Sequence, residues 1–69
     1  MGYDDGNEMV EIDDVLFIRD LYRSIVVQYE GEEIIIPKSQ LGYGNEVKAK
    51  GNKGTLVIPR WLAEDRDML

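Results

Sequence analysis

The chain has 69 residues, of which 43% are apolar and 32% charged, enough for one small core and no second domain. It contains no cysteine and no histidine. Disulfides and thiolate chemistry are thereby excluded, along with the commonest general base and metal ligand. No apolar run approaches the roughly 20 residues of a membrane helix, and the acidic start does not read as a signal peptide. A soluble, cytoplasmic protein is the expectation.

The net charge of −6 is unevenly spread. Residues 1–37 carry ten acids against Arg19 and Arg23, a net of −8. Residues 38–60 carry Lys38, Lys48, Lys50, Lys53 and Arg60 against Glu46, a net of +4, and residues 61–69 return to −2. A molecule of this sign repels nucleic acid at long range and attracts basic partners.

Residues 1–8, rich in glycine and acids, read as a flexible acidic arm ahead of a single domain over 9–69. From Met9 to Ile18, alternation followed by the run Val15-Leu16-Phe17-Ile18 predicts a strand with a bulge or bend at Asp13-Asp14. Residues 19–23 form a polar hairpin connection. Ser24 to Tyr29 is a strand by its β-branched content, Glu30-Gly31 a tight turn, and Glu32 to Ile36 the returning strand, ended by Pro37. Lys38 to Asn45 reads as a loop anchored by Leu41, and Val47 to Lys50 as a short strand. Residues 51–54, with a glycine at each end, read as a turn, and Thr55 to Ile58 as a strand with Leu56 and Ile58 on one face. Pro59 suits a helix start, so a helix is expected over about 60–68, with Trp61, Leu62, Met68 and Leu69 as its apolar stripe. Trp61 is expected to plug the core; exposed, with Leu62 and Leu69, it would mark a partner patch. Mainly β, a five-stranded half-open barrel of SH3 or OB type with one C-terminal helix is the fold expected.

Catalytic chemistry finds little support. Ser24, Ser39 and Thr55 have no histidine to activate them, and the side chains of neighbours such as Lys38 and Ser39 point in different directions. Paired carboxylates at Asp4-Asp5, Asp13-Asp14 and Glu32-Glu33 read as solvated acids, because acid–base work needs a pocket that splits their pKa values. Asp4, Asp5, Asn7 and Glu8 resemble a fragment of a calcium loop without its closing spacing. Gly42-Tyr43-Gly44 lacks the third glycine of a dinucleotide site. The expectation is a protein that is not an enzyme and has no metal or cofactor.

Two surfaces remain as binding candidates. Glu11, Asp13, Asp14, Glu30, Glu32 and Glu33 form an acidic set that can imitate a row of phosphates toward a basic protein. Tyr43, Lys48, Lys50, Lys53 and Arg60 combine an aromatic with cations, the mixture by which single-stranded nucleic acid is held. The same lysines can instead guard a strand edge. A second copy of the chain, pairing through an open edge or the Trp61 face, is a further candidate partner.

Three blocks, Glu11-Ile12 with Val15 to Ile18, IIIPKSQL at Ile34 to Leu41, and GTLVIPRWLAE at Gly54 to Glu64, together resemble a group of short, mostly uncharacterised bacteriophage and prophage proteins. The likeness spans about residues 9–69. It departs at Ile35, where an aromatic is usual, and at Arg66-Asp67-Met68, where a Lys-Gly ending is usual. The resemblance implies a phage-encoded accessory protein of replication, recombination or counter-defence, such as an anti-CRISPR-like inhibitor of a host defence complex. It carries no catalytic residues across.

Overall fold

A computed structural model describes residues 8–47 and 53–69. The described strands are β1 (Met9–Asp20), β2 (Ser24–Tyr29), β3 (Glu32–Pro37) and β4 (Lys53–Pro59), followed by helix α1 (Arg60–Asp65). They form one antiparallel sheet in the order β3-β2-β1-β4. Alternation explains the two faces: Ile12, Val15, Phe17, Ile25, Val27, Ile34, Ile36, Leu56 and Ile58 point to one side and join Val47, Leu62, Ala63 and Met68 in the core.

β1 is long enough to serve as the spine because two bulges bend it. Ile12 faces Leu56 and Val15 faces Gly54, so Asp13-Asp14 supplies one extra residue against β4; Phe17 and Arg19 face Val27 and Val26, so Ile18 is extra against β2. Asp14 takes φ 62°, a left-handed value that aspartate tolerates better than most residues. Glu30 and Gly31, at φ 51° and 84°, close β2 onto β3 with the two positive values that a type I′ hairpin requires.

β4 follows a different logic at its outer edge. Gly42 donates its amide to the Val57 carbonyl at 2.7 Å and Glu46 to the Thr55 carbonyl at 2.9 Å. In return the Thr55 amide bonds Glu46 Oε1 at 3.1 Å and the Val57 amide bonds Asn45 Oδ1 at 3.2 Å. The next outward position is Pro59, which has no amide to satisfy. Segment 42–46 thus closes this edge with two side chains standing in for strand carbonyls. Gly42 permits the approach: a Cβ there would lie 2.5 Å from Met9 Cε and 2.6 Å from Val57 Cγ1.

The helix is shorter than its apolar pattern suggests. It ends with Asp67 at φ 59°, the Met68 amide reaching the Ala63 carbonyl and the Asp67 amide the Glu64 carbonyl, which is a Schellman ending. That reversal, not a continued helix, returns Met68 to the core. Leu62 is fully buried, whereas Trp61 is 42% and Leu69 64% exposed. The expected stripe therefore splits, and Leu62 rather than Trp61 is the plug.

Four described strands leave the sheet open, with β3 and β4 at its edges, rather than closed into a barrel. The fifth strand expected over Val47–Lys50 is not among the described strands: Val47 is buried outside any strand, and 48–50 lie outside the described residues, as do 51 and 52 of the expected turn. Lys53 and Gly54 open β4 instead of completing that turn. The acidic arm lies outside the described residues except for Glu8, which is tied down: its carbonyl takes the Arg60 amide at 2.7 Å and its carboxylate pairs with the Arg60 guanidinium at 2.7 Å.

Candidate interaction surface

The β1 bulge, the β2–β3 turn and the C-terminal reversal meet at one end of the core. Between them lies an open cleft of about 510 Å³, lined by Glu11, Asp13, Asp14 and Glu30, with Ile12, Met68 and Leu69 as apolar walls and Tyr29 in the middle. A smaller cavity of about 180 Å³ adjoins it, lined by Tyr29, Glu30, Glu32, Ile34 and Asp67. The common members Tyr29 and Glu30 make the two continuous around the tyrosine ring.

Five of the six acids expected to act together, Glu11, Asp13, Asp14, Glu30 and Glu32, line this continuous surface. Glu33 does not: as β3 alternates, it points to the other face, where it lies 4.0 Å from Arg19. Asp67 takes its place at the rim, a residue that sequence reasoning placed in a helix. Among the described residues, none of Glu11, Asp13, Asp14, Glu30, Glu32 and Asp67 belongs to an ion pair, whereas Glu8, Asp20, Glu33 and Asp65 each do. Asp13 is steadied by the Thr55 hydroxyl, which donates to its Oδ1 at 2.9 Å.

Tyr29 reports the local field. Burial of its ring raises the phenol above its ordinary pKa of 10.0, and the negative charges of Glu30, Asp14 and Asp13 raise it further. All three carboxylates line the same cleft as the tyrosine. Three rim acids, Asp14, Glu30 and Asp67, also hold left-handed backbone, at φ 62°, 51° and 59°. Each such position costs conformational energy that a glycine or asparagine would relieve.

The cationic set is not brought together. Lys53 and Arg60 stand at opposite ends of β4, about 20 Å apart at the rise of an extended strand, and Arg60 pairs with Glu8. Tyr43 is fully exposed in the edge-closing segment; Lys48 and Lys50 lie outside the described residues. Lys38 pairs with Asp20 at 2.8 Å, tying the 3₁₀ turn Lys38–Gln40 to the β1–β2 connection.

Among the described residues no group of acids is arranged to hold a metal ion, and no helix is long and apolar enough to cross a membrane. No protein-family model, curated protein or solved structure matches this chain.

Proposed function

We propose that this chain is a non-enzymatic binding protein of the phage accessory type, whose acidic cleft takes a basic, nucleic-acid-handling protein of the host. Inhibition of an anti-phage defence complex, in the manner of an anti-CRISPR protein, is the setting that the sequence resemblance adds. The supporting observation is the convergence of Glu11, Asp13, Asp14 and Glu30 on one open cleft, with no cation pairing any of them among the described residues. Unpaired carboxylates on a low-dielectric apolar floor concentrate field toward an incoming cation. Tyr29, Met68 and Leu69 give the aliphatic stem of a lysine or arginine something to pack against. Binding of this kind associates fast and falls steeply with ionic strength.

The test is affinity capture from a bacterial host extract with wild-type protein and with Glu11→Lys/Asp14→Lys/Glu30→Lys in parallel, at low and raised salt. A basic protein held by the wild type alone, and released by salt, is the expected result. Equal retention by both proteins at both salt concentrations overturns the reading.

A further inference from the structure

The two sheet edges are finished differently. On β4, the outward amides and carbonyls of Thr55 and Val57 are all bonded by segment 42–46. On β3, the tight turn makes Tyr29 and Glu32 a hydrogen-bonded pair, so Ile34 and Ile36 bond inward while Glu33, Ile35 and Pro37 face outward. Pro37 has no amide, and the Ile35 carbonyl accepts Arg66 Nε at 3.2 Å. That leaves the Glu33 amide and carbonyl and the Ile35 amide without a partner among the described residues. These are three consecutive ladder positions of an unfinished edge. Ile35 itself is 51% exposed, an apolar side chain standing beside the open amide.

We infer that an extended basic segment of the partner protein adds to the β3 edge as a fifth strand. The inference rests on the acidic-cleft reading and gives that reading its mode of attachment. Strand addition supplies main-chain hydrogen bonds from the edge and side-chain pockets from the flanking rows. The flanking rows here are specific: Glu33 and Ile35 on one face, Glu32 and Ile34 with Asp67 behind them on the other. A pairing strand therefore meets carboxylates on both faces at its turn-proximal end and isoleucines beyond, which selects alternating basic and β-branched residues. A second copy of this chain is the competing occupant, since antiparallel pairing about Ile35 would set Glu33 opposite Pro37 and Glu32 opposite Lys38; the unpaired acids of the neighbouring cleft favour the basic segment instead. Arg66 occupies the Ile35 carbonyl that the incoming strand needs, and the strand's amide displaces or shares it.

Three N-acetylated octapeptide amides separate the contributions: alternating Lys-Val, a Lys-Pro peptide of the same charge built as Lys-Lys-Pro-Pro repeated so that prolines interrupt the amides on both edges of the strand, and alternating Glu-Val. Each is titrated into the full-length chain with the Glu33 and Ile35 amides followed by NMR. The Lys-Val peptide is expected to bind at least tenfold more tightly than Lys-Pro and to slow hydrogen exchange at Glu33 and Ile35, with no change at Thr55 and Val57. Ile35→Pro removes the open amide without touching the inner ladder, and is expected to abolish the difference between the two basic peptides. If that variant fails to fold by circular dichroism, the exchange protection in the wild type decides alone. Equal binding of Lys-Val and Lys-Pro, with binding still lost on Glu30→Lys, overturns strand addition and leaves the acidic reading intact. Tight binding of Glu-Val overturns both. Protection at Glu33 and Ile35 that rises with protein concentration and no peptide assigns the edge to a second copy and overturns the inference.

Discussion

Asn45 accepts the amide of Val57 at 3.2 Å through its side-chain oxygen, and the same side chain donates to the Val47 carbonyl at 3.0 Å. It is the one buried polar residue among those described, and both ends of its amide are used. The contact does what a fifth strand would otherwise do, holding a non-strand segment against β4 so that the edge does not recruit other chains. Asn45→Leu keeps the volume and strands the Val57 amide. The expected cost is about 1–3 kcal/mol, the desolvation of an unpaired buried donor. A lowered urea midpoint at unchanged slope is the readout; an unchanged midpoint would mean that the segment does not hold the edge.

Glu30 occupies the first central position of a type I′ turn, where asparagine before glycine is the preferred pair. Glutamate gains nothing from that backbone, so its presence reads as retained for its charge at the cleft rim. Glu30→Asn is expected to stabilise the fold by about 0.5–1 kcal/mol while weakening the basic partner. Thermal unfolding and partner affinity, measured on the same variant, must move in opposite directions. Lower stability would show that the turn is not strained, and unchanged affinity that the charge is idle.

Helix α1 separates two adjacent apolar residues. Leu62 is fully buried against the sheet, while Trp61 stands 42% exposed. Leu62→Ala is expected to cost about 2–5 kcal/mol through lost burial and the cavity left behind. A domain of this size has on the order of 3–10 kcal/mol in total, so that variant should be largely unfolded at 37 °C. Trp61→Ala should leave the fold intact. The reverse ranking by chemical denaturation would move the plug back to the tryptophan.

That pair also shows where the sequence stops being informative. Strands β1 to β3 were legible because β-branched residues alternate, Asp13-Asp14 interrupts the alternation, and Glu30-Gly31 marks a turn. The helix was legible only as far as its start at Pro59. Six helical residues are too few to fix which side of a 3.6-residue period faces inward, and the Schellman reversal at Asp67 carries no signal without a glycine. The closure of β4 by Asn45 and Glu46 was invisible for another reason. Its bonds come from single side chains in a loop and leave no periodicity to detect. The convergence of the acids was legible as charge density, whereas the exchange of Glu33 for Asp67 at the rim needed the alternation of β3 and the fold of the C-terminus.

Tyr29 offers a direct assay of the cleft. Burial, then Glu30, then Asp14 and Asp13 place its phenol above 10.0, and an ultraviolet absorbance titration run beside a Tyr29→Phe variant isolates its transition. The sign follows from linkage: with the folded-state pKa raised, the folded protein holds its proton longer than the unfolded one. The contribution of Tyr29 to stability is therefore fully present below its ordinary value of 10.0 and is lost as pH rises through the folded-state value. Removing carboxylate charge must lower that value, and Glu30→Gln should do so more than Asp14→Asn, with Asp13→Asn least, following the size of each influence. A cation seated in the cleft acts in the same direction, because it favours the phenolate. Adding the basic partner, or the Lys-Val peptide, should shift the Tyr29 transition to lower pH. The Glu-Val peptide should leave it in place. A Tyr29 titration indifferent to all three substitutions would separate the tyrosine from the acids, and with it the converging field on which the cleft depends.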